Sequence, residues 1–508
     1  MSARTLMVQG TASDVGKSVL VAALCRILRQ DGYRVAPFKA QNMALNAAVT
    51  IDGGEIGRSQ AVQAAAAGIE PAVEMNPILL KPEAEARSQV IVRGRVWKTL
   101  PWREYYRERA PLLGVIRESL ETLRAAYDVV VIEGAGSPAE INLKAGDIVN
   151  MRVAALADAP VLLAGDIDRG GVFAALLGTL ELLDPDERAR VRGLIINKFR
   201  GDLELLRPGL DFIAARTGVP LLGVVPHLPR LGLAEEDSVA LERRANRPGD
   251  GGPAVLDIAV IQLPRISNFD DFDPLAAEDG VAVRFVRAAD ELGVPDLAII
   301  PGTKSTIADL AALREAGLDR AIVALAGGGT PLVGICGGFQ MLGEAIEDPH
   351  GVEADAGRVP GLGLLPLRTV FGREKTTERA RGVVAAGGGL LAGAAGAPVT
   401  GYEIHMGRTV GDLPAPLRMV ERRGMPVDEP DGAASADGLV LGTYLHGLFD
   451  SPALRGAILR NLAARKGVPP RAWGDEAAAL REDPFDRLAD HVRASLDMRR
   501  LYGIIGLG

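Results

Sequence analysis

The segment from Gly10 to Ser18, with the sequence GTASDVGKS, contains residue types that bind phosphate. It follows an apolar strand-like run and opens a helical pattern. Glycines let backbone N–H groups curl around phosphates, Lys17 supplies positive charge to the outer phosphates, and the Ser18 hydroxyl can bind Mg²⁺. The sequence therefore predicts a nucleotide site at this turn, and the site includes Gly10, Thr11, Gly16, Lys17 and Ser18.

Carboxylates stand at the ends of other predicted strands. Glu133 follows the apolar run 128–132, and the carboxyl ends of parallel strands face one crevice. Mg²⁺ prefers hard oxygens and keeps some of its waters, so we expect Glu133 to bind it directly or through water. A helix-cap or loop carboxylate is the alternative. Asp166 and Asp168 end another strand at the same edge and could serve metal or substrate, and Glu55 is a weaker metal candidate.

A second reactive segment surrounds Cys336, in the sequence GICGGFQ over residues 334–340. Small residues on both sides permit a sharp strand-to-helix turn that holds the thiol clear of a sheet. A cysteine in this position reacts as a thiolate, and neighbouring backbone N–H groups can stabilise an oxyanion. We therefore predict that Cys336 is a nucleophile. Cys25 lies on the apolar helix after the phosphate loop and is predicted to be structural.

The G-x-C-x-G-x-Q spacing resembles the class I glutamine amidotransferases, which release ammonia from glutamine. The resemblance implies that the base is a later histidine at a strand end, and His446 in the sequence YLHG fits. It also implies that Gly302 and Gly337 provide the oxyanion donors. Gln340 and Tyr402 would then belong to the glutamine pocket.

The residues after His446 depart from the usual pattern of that family. Most members have a glutamate where this chain has Leu448. We expect the group that orients His446 to come from elsewhere, from Asp450 or a backbone carbonyl. The departure matches the cobyrinate-type subgroup, described as using cysteine and histidine alone. We expect His405 to be a pocket or structural residue.

Five residues separate the two glycines of the phosphate loop, and this spacing resembles dethiobiotin synthetase and its relatives. That branch includes partition-type ATPases and ATP-dependent carboxylate-activating enzymes. The resemblance implies ATP as the nucleotide and a contact between Asn197 and the adenine, although Asn197 could simply terminate its strand. Together the two halves imply one reaction, in which ATP converts a carboxylate to an acyl phosphate and ammonia from glutamine attacks it.

Nearly the whole chain resembles the cobyric acid synthases, glutamine-hydrolysing enzymes of cobalamin biosynthesis. The resemblance is carried by residues 8–11 (VQGT), 38–46 (FKAQNMALN) and 76–82 (NPILLKP), and by the segments around Cys336 and His446. It implies that ATP and glutamine serve to amidate the b, d, e and g carboxylates of adenosylcobyrinic acid a,c-diamide. A cobyrinic acid a,c-diamide synthase, another glutamine-dependent amide ligase, and a partition-like ATPase switch with a decayed amidase domain are the alternatives.

A corrinoid acid is a polyanion, so its site should be basic and polar. Lys39, Gln41, Asn42 and Asn46 follow the second predicted strand, and this edge of the sheet lies near the γ-phosphate. We expect these four residues to contact the substrate. The basic stretch over residues 87–109 could line the same site or form a solvent-exposed helix face.

The pattern of apolar runs and helical stretches predicts two doubly wound α/β units, which must position these residues. Uniformly apolar runs are typical of parallel strands covered on both faces. A helix is expected over 17–30, and the tail should be helical and amphipathic. The predicted strands are 5–9, 34–38, 128–132, 160–164, 193–197, 220–225, 257–262, 281–284, 297–300, 331–335, 400–407 and 439–446.

The domain limits follow from a charged, glycine- and proline-rich stretch over residues 242–253. We predict a P-loop carboxylate-activating domain over 1–242, a linker over 243–254, and a flavodoxin-like class I glutamine amidotransferase domain over 255–452. A helical tail over 453–508 completes the chain.

Composition excludes several other classes of protein. Hydrophobic residues make up 48% and charged residues 24% of the 508, as in ordinary globular proteins. The net charge of −8 disfavours a non-specific nucleic-acid binder. Two distant cysteines exclude a disulfide scaffold, and glycine and proline interrupt the uncharged runs, so we expect no membrane segment. We expect a cytoplasmic protein that can form a homodimer.

Overall fold

The computed structural model describes residues 3–83, 86–229, 231–233, 254–354, 357–385, 387–474 and 483–507. The predicted linker over 243–254 lies outside these ranges, apart from Ala254. The elements of the N-terminal domain are β1 (Arg4–Gly10), α1 (Lys17–Gln30), β2 (Val35–Phe38), β3 (Gln41–Met43), β4 (Ala47–Val49), β5 (Glu55–Gly57), α2 (Arg58–Ala67), β6 (Ile78–Pro82), β7 (Arg87–Val92), β8 (Arg95–Pro101), α3 (Trp102–Glu108), α4 (Leu112–Ala126), β9 (Val129–Glu133), α5 (Met151–Ala157), β10 (Val161–Asp166), α6 (Val172–Leu182), α7 (Pro185–Arg190), β11 (Val191–Phe199), α8 (Leu203–Thr217) and β12 (Leu221–Pro226).

The central sheet of this domain has the strand order β12-β11-β10-β1-β9-β2, and its strands pair in parallel. Its strands are buried on both faces, which explains their uniformly apolar sequences. The predicted helix over 17–30 is confirmed as α1. A small sheet in the order β3-β6-β7-β8 was not predicted, and it lies beside the edge at which β2 ends.

The C-terminal domain repeats this plan with a parallel core. Its elements are β13 (Leu256–Ile261), α9 (Asp273–Ala276), β14 (Val281–Val286), α10 (Ala289–Leu292), β15 (Leu297–Ile300), α11 (Thr306–Glu315), α12 (Leu318–Gly327), β16 (Leu332–Ile335), α13 (Gly337–Leu342), β17 (Ala345–Asp348), β18 (Gly357–Pro360), β19 (Arg368–Val384), β20 (Pro398–Val410), β21 (Leu417–Arg422), β22 (Met425–Asp431), β23 (Ala433–Ala434), β24 (Val440–Thr443) and α14 (Pro452–Lys466).

The order of the main sheet is β14-β13-β15-β16-β24-β23, with only β23 antiparallel to its neighbour among the described strands. A second sheet is built on the long hairpin β19–β20 and packs beside it. Together the two domains confirm the predicted α/β class with parallel sheets.

The tail divides between the two domains rather than forming one unit. Helix α14 belongs to the C-terminal core, where Leu454 and Ile458 are fully buried. The helices α15 (Pro484–Ser495) and α16 (Met498–Ile505) instead pack on the N-terminal domain. Arg26 of α1 pairs with Asp483 at 2.6 Å and with Asp486 at 2.7 Å. Across the described ranges, no helix combines the length and apolarity that a bilayer crossing requires.

Candidate active site

The phosphate loop connects β1 to α1 with its lysine folded over the turn. The Nζ of Lys17 donates to the carbonyl oxygens of Ala12, at 2.9 Å, and Gly136, at 3.1 Å. Gly16 has a φ of 92°, and a Cβ there would lie 2.3 Å from the Asn197 amide nitrogen. Glycine is therefore required at position 16 for both conformation and space. The segment predicted to bind phosphate is thus a tight glycine turn between a strand and a helix.

Glu133 lies at the centre of a buried polar cluster beside this loop. Its Oε1 accepts hydrogen bonds from Ser18 and from the Lys39 ammonium, both at 2.8 Å, and its Oε2 accepts one from Gln63 at 2.5 Å. Burial alone would raise the pKa of Glu133, but Lys39 and the hydrogen bonds outweigh it and lower the pKa. The carboxylate is therefore held ionised next to the phosphate loop.

Asn197 and its neighbours stabilise the other side of the loop. The Asn197 amide donates to the carbonyl of Val15 at 2.9 Å, and Lys198 donates to Asp166 at 3.0 Å and to the carbonyl of Asp14. Asp168 forms an ion pair with Arg200 at 3.1 Å. Asn197 and Asp168 also line the cleft described next. The hydrogen bond from Lys198 thus occupies the carboxylate of Asp166.

A cleft of about 2590 Å³ runs from the phosphate loop to the C-terminal domain. Lys17, Lys39, Gln41 and Asn42 line it on one side, and residues of the C-terminal domain, among them Asp270, Phe272 and Asp450, line it on the other. Of the basic residues predicted between 87 and 109, Arg109 lines the cleft, and the stretch forms β7, β8 and α3 rather than one helix face.

Two residues predicted for this site lie elsewhere. Both carboxylate oxygens of Glu55 are taken, one by Lys81 at 2.7 Å and the other by Lys375 of the C-terminal domain. Glu55 also does not line the cleft that contains the phosphate loop, so the structure does not support the expectation that it binds a metal there. Asn46 is fully buried and does not line the cleft, and its carbonyl accepts the N–H of Arg58. Asn46 therefore lies away from the cleft in which we expected it to contact substrate.

Cys336 lies at a sharp turn between β16 and α13. Its φ of 51° and ψ of −108° are outside the usual regions for a side-chain-bearing residue. A Cβ on Gly338 would lie 2.0 Å from the carbonyl oxygen of Ile300, and one on Gly334 would lie 2.9 Å from the Gly338 backbone. Glycine at positions 334 and 338 therefore leaves the space that the sharp strand-to-helix turn needs, as the sequence predicted. Cys25, by contrast, is fully buried within a hydrophobic cluster.

His446 is held beside Cys336 by an aspartate that the sequence did not reveal. The Nδ1 of His446 lies 2.7 Å from Oδ2 of Asp271, and the other oxygen of Asp271 accepts the N–H of Gly447 at 2.9 Å. Burial lowers the pKa of His446, but Asp271 and a hydrogen bond with the Cys336 side chain raise it to about 10. A buried cysteine–histidine–aspartate triad results.

The expectation that Asp450 or a backbone carbonyl orients His446 is wrong, because Asp271 occupies that position. Asp450 lies beside Asp270 and Asp271 and lines the cleft. Burial and the charge of Asp271 raise the pKa of Asp450 to about 6. Asp271 is 175 residues from His446 in the chain, so no local spacing could have indicated it. The preceding Asp270 is paired with Arg58 at 2.9 Å.

The remaining residues predicted for the glutaminase site surround the triad. Tyr402 stacks on His446, with ring centroids 5.2 Å apart and 14° between the planes. A Cβ on Gly302 would lie 2.8 Å from Cε1 of His446, which places this backbone at the ring. Gln340 is buried behind the nucleophile, where its Oε1 accepts from Thr306 at 2.9 Å. His405 stacks on Tyr444, with ring centroids 3.9 Å apart.

Both halves of the chain match known domain families. Residues 6–240 match the CobQ/CobB/MinD/ParA nucleotide binding domain, and residues 257–454 match the CobB/CobQ-like glutamine amidotransferase domain. A cobyric acid synthase of Sorangium cellulosum (strain So ce56) is 58% identical over 521 residues, which cover 100% of this chain and 99% of that protein. Cobyric acid synthases of Dehalococcoides mccartyi (strain CBDB1) and Moorella thermoacetica are 55% and 54% identical, with at least 98% of either chain covered.

The fold and the site define a glutamine amidotransferase in which a nucleotide-binding domain and an amidotransferase domain share one chain. Since the identity extends over the full length of these relatives, the chain belongs to the cobyric acid synthase family and is an enzyme. The family expected from the sequence is thus confirmed.

Proposed function

We propose that this enzyme uses ATP and glutamine to amidate the b, d, e and g carboxylates of adenosylcobyrinic acid a,c-diamide. In each cycle a substrate carboxylate takes the γ-phosphoryl group of ATP, and ADP leaves. Glutamine and water give glutamate and ammonia at the C-terminal site. Ammonia then attacks the acyl phosphate, and phosphate leaves as the amide forms.

The glutaminase half of this reaction uses the triad. The Cys336 thiolate attacks the side-chain amide carbon of glutamine, and the His446 imidazolium gives its proton to the departing ammonia. Water then attacks the thioester with neutral His446 as base. Asp271 keeps the ring oriented and stabilises the imidazolium. Gly302 and Gly337 are proposed to hold the oxyanion through their N–H groups.

The synthetase half places phosphates at the loop formed by Gly10, Thr11, Gly16, Lys17 and Ser18. Asn197 is proposed to contact the adenine, while Lys39, Gln41 and Asn42 face the carboxylate that receives the phosphoryl group. These polar side chains line the cleft, which is large enough for a corrinoid acid beside a nucleotide.

Mg²⁺ fits the groups around Glu133, although no cluster of three acidic, histidine or cysteine side chains occurs in the described ranges. The Ser18 hydroxyl and the Glu133 carboxylate are hard oxygens beside the loop, and phosphates and waters supply the remaining ligands that Mg²⁺ usually takes. Gln63 Oε1 is buried there without a hydrogen-bond partner among the described groups. When bound, Mg²⁺ would neutralise charge on the phosphates.

One observation carries the proposal: a complete Cys336–His446–Asp271 triad lies at the boundary of the cleft that contains the phosphate loop. Asp270 and Asp450 border this cleft and the triad together. We propose that ammonia formed at the triad enters the cleft beside these two aspartates, and holding ammonia close to the activated carboxylate would raise the rate of attack.

Mass spectrometry of the corrinoid product tests the proposal. With ATP, Mg²⁺ and glutamine, the a,c-diamide should lose about 1 Da in each of four steps, since –OH becomes –NH₂. Cys336→Ala should stop glutamate release and product formation from glutamine, while added ammonium restores product. Two steps on cobyrinic acid, and none on its a,c-diamide, would favour the a,c-diamide synthase instead.

Lys17→Ala distinguishes the enzyme from an ATPase switch with a decayed amidase domain. Loss of the Lys17 ammonium should abolish amidation, because the outer phosphates lose their cation, and basal glutamate release should remain detectable. A glutaminase rate unaffected by Cys336→Ala would favour the decayed domain.

The cytoplasmic location and the homodimer stay predictions, and sedimentation of the purified chain tests the latter.

A further inference from the structure

Arg58 is a point at which the N-terminal domain contacts the glutaminase site. It is the first residue of α2, and its Nε lies 2.9 Å from Oδ2 of Asp270. The same guanidinium donates a hydrogen bond to the Tyr402 hydroxyl and lies 5.1 Å from the centre of that ring. Arginine can bind a carboxylate and an aromatic ring together because its donors lie in the plane of a flat cation.

Both partners of Arg58 lie next to the triad. Tyr402 stacks on His446, and the backbone groups of these two residues exchange hydrogen bonds at 3.2 and 2.9 Å. Asp270 immediately precedes Asp271, which holds His446 Nδ1. A displacement of Arg58 therefore acts on the histidine from two directions, through the stacked ring and through the aspartate.

The same helix contacts the nucleotide site one and a half turns later. Gln63 donates to Oε2 of Glu133 at 2.5 Å and to the carbonyl of Ser18 at 3.3 Å. Between the two, Gln60 accepts a hydrogen bond from Asn42, which lines the cleft. Residues 58 and 63 are about 7.5 Å apart along the axis at 1.5 Å per residue, so a short rigid element joins the two sites.

We propose that α2 couples the two active sites, with Gln63 and Arg58 as its positioning residues at the nucleotide and glutaminase ends. The inference rests on the proposed function, because it needs both ligands. Nucleotide bound beside Ser18 and Glu133 alters the contacts of Gln63, and α2 carries the change to Tyr402 and Asp270. The affinity for glutamine then depends on nucleotide. Reciprocity requires glutamine to change nucleotide affinity by the same factor.

Equilibrium binding to the full chain carrying Cys336→Ala measures this factor without turnover. Titration calorimetry gives the Kd of glutamine with and without a non-hydrolysable ATP analogue and Mg²⁺, and the Kd of the analogue with and without glutamine. We expect one common factor of about 5 or more in both experiments. Adding Arg58→Lys, which keeps the charge but loses the planar donors, should bring the factor close to 1, and adding Gln63→Leu should do the same.

Glu70→Gln is the matched control. It removes an ion pair between the domains, Arg379–Glu70 at 2.7 Å, that does not involve α2 or the triad. The coupling factor should survive it. Asp270→Asn provides a second test at the glutaminase end should Arg58→Lys unfold, since it removes the ion pair while Arg58 stays over Tyr402.

The proposal is overturned if the factor persists in the Arg58 and Gln63 variants, or if it is already 1 in the Cys336→Ala chain. Failure of the proposed function would look different. In that case the chain without any substitution would not hydrolyse glutamine, or would bind no nucleotide, and no factor could arise.

Discussion

Asp271 uses both carboxylate oxygens to fix His446, one on Nδ1 of the ring and one on the N–H of Gly447. Together with the Cys336 side chain, Asp271 outweighs burial and raises the pKa of His446 to about 10. The imidazolium needed to protonate departing ammonia is thus the stable form at neutral pH.

Asp271→Asn should lower the glutaminase kcat by up to about 10⁴-fold, the loss expected when a triad loses its carboxylate. The substitution removes the charge that raises the pKa of His446, so the alkaline limb of the pH–rate profile should move to lower pH. Rates of glutamate release between pH 6 and 10 measure both effects. An unchanged alkaline limb would contradict the assigned role, and Asp450→Asn serves as the comparison.

The residues of the candidate site could be predicted where local chain geometry required them. Gly334 and Gly338 bracket Cys336 because neighbouring backbone leaves no room for a Cβ, and this pattern is visible in the sequence. Asp271 and Arg58 could not be found this way, because their partners are distant in sequence and meet only when the domains fold and dock. The surroundings of Glu55 could not be predicted either, because one of its two lysine partners, Lys375, lies in the other domain.

A strand or helix could be predicted from the sequence when its hydrophobic pattern depended only on which of its own faces are buried. The parallel strands are apolar throughout because both faces are buried, and α1 follows its glycine turn. The hairpin β19–β20 was only partly predicted. Its first strand, Arg368–Val384, is rich in charged residues, because much of it lies at surfaces and ion pairs such as Lys375–Glu55.

Gly338→Ala tests the turn that presents the nucleophile. Its Cβ would lie 2.0 Å from the Ile300 carbonyl oxygen, a rigid backbone group, so α13 must move away from β15. We expect a loss of about 1–3 kcal/mol in the free energy of unfolding and a larger loss of glutaminase activity. Denaturant unfolding and glutamate release measure the two effects.

Gly327→Ala is the control for that substitution, since nothing lies within 4 Å of its Cβ position at the end of α12. It should leave stability and activity nearly unchanged. Equal behaviour of the two alanine variants would mean that the close contact at position 338 is unimportant.

At the scale of the whole molecule, buried and half-buried ion pairs join the two domains. Lys375 of β19 reaches Glu55 of β5, and Lys304, beside the Gly302 turn, reaches Glu83 at 2.7 Å. Burial alone would raise the pKa of Glu55, but Lys375 and Lys81 lower it to about 2, so the carboxylate stays ionised. The tail adds a further connection, because α14 packs in one domain and α15 and α16 pack on the other.

Lys375→Met should loosen this docking, because it leaves a buried carboxylate with one cation instead of two. Breaking a buried pair typically costs about 3–5 kcal/mol. We expect ammonia to escape from the loosened interface, so that amide formed per glutamate released falls below one. Lys466→Met, which removes a pair with Asp296 inside the C-terminal domain, should keep the ratio. Equal ratios in both variants would contradict a role for the interface in ammonia transfer.

The most direct test follows the nitrogen itself. The enzyme is given glutamine labelled with ¹⁵N in its side-chain amide, ATP, the corrinoid a,c-diamide, and an excess of unlabelled ammonium. Mass spectrometry should find ¹⁵N in all four new amides, because the proposed mechanism requires ammonia made at Cys336 to enter the cleft without mixing with the bulk ammonium. Amides that carry the isotope composition of the bulk ammonium, or no amides at all, would contradict the account.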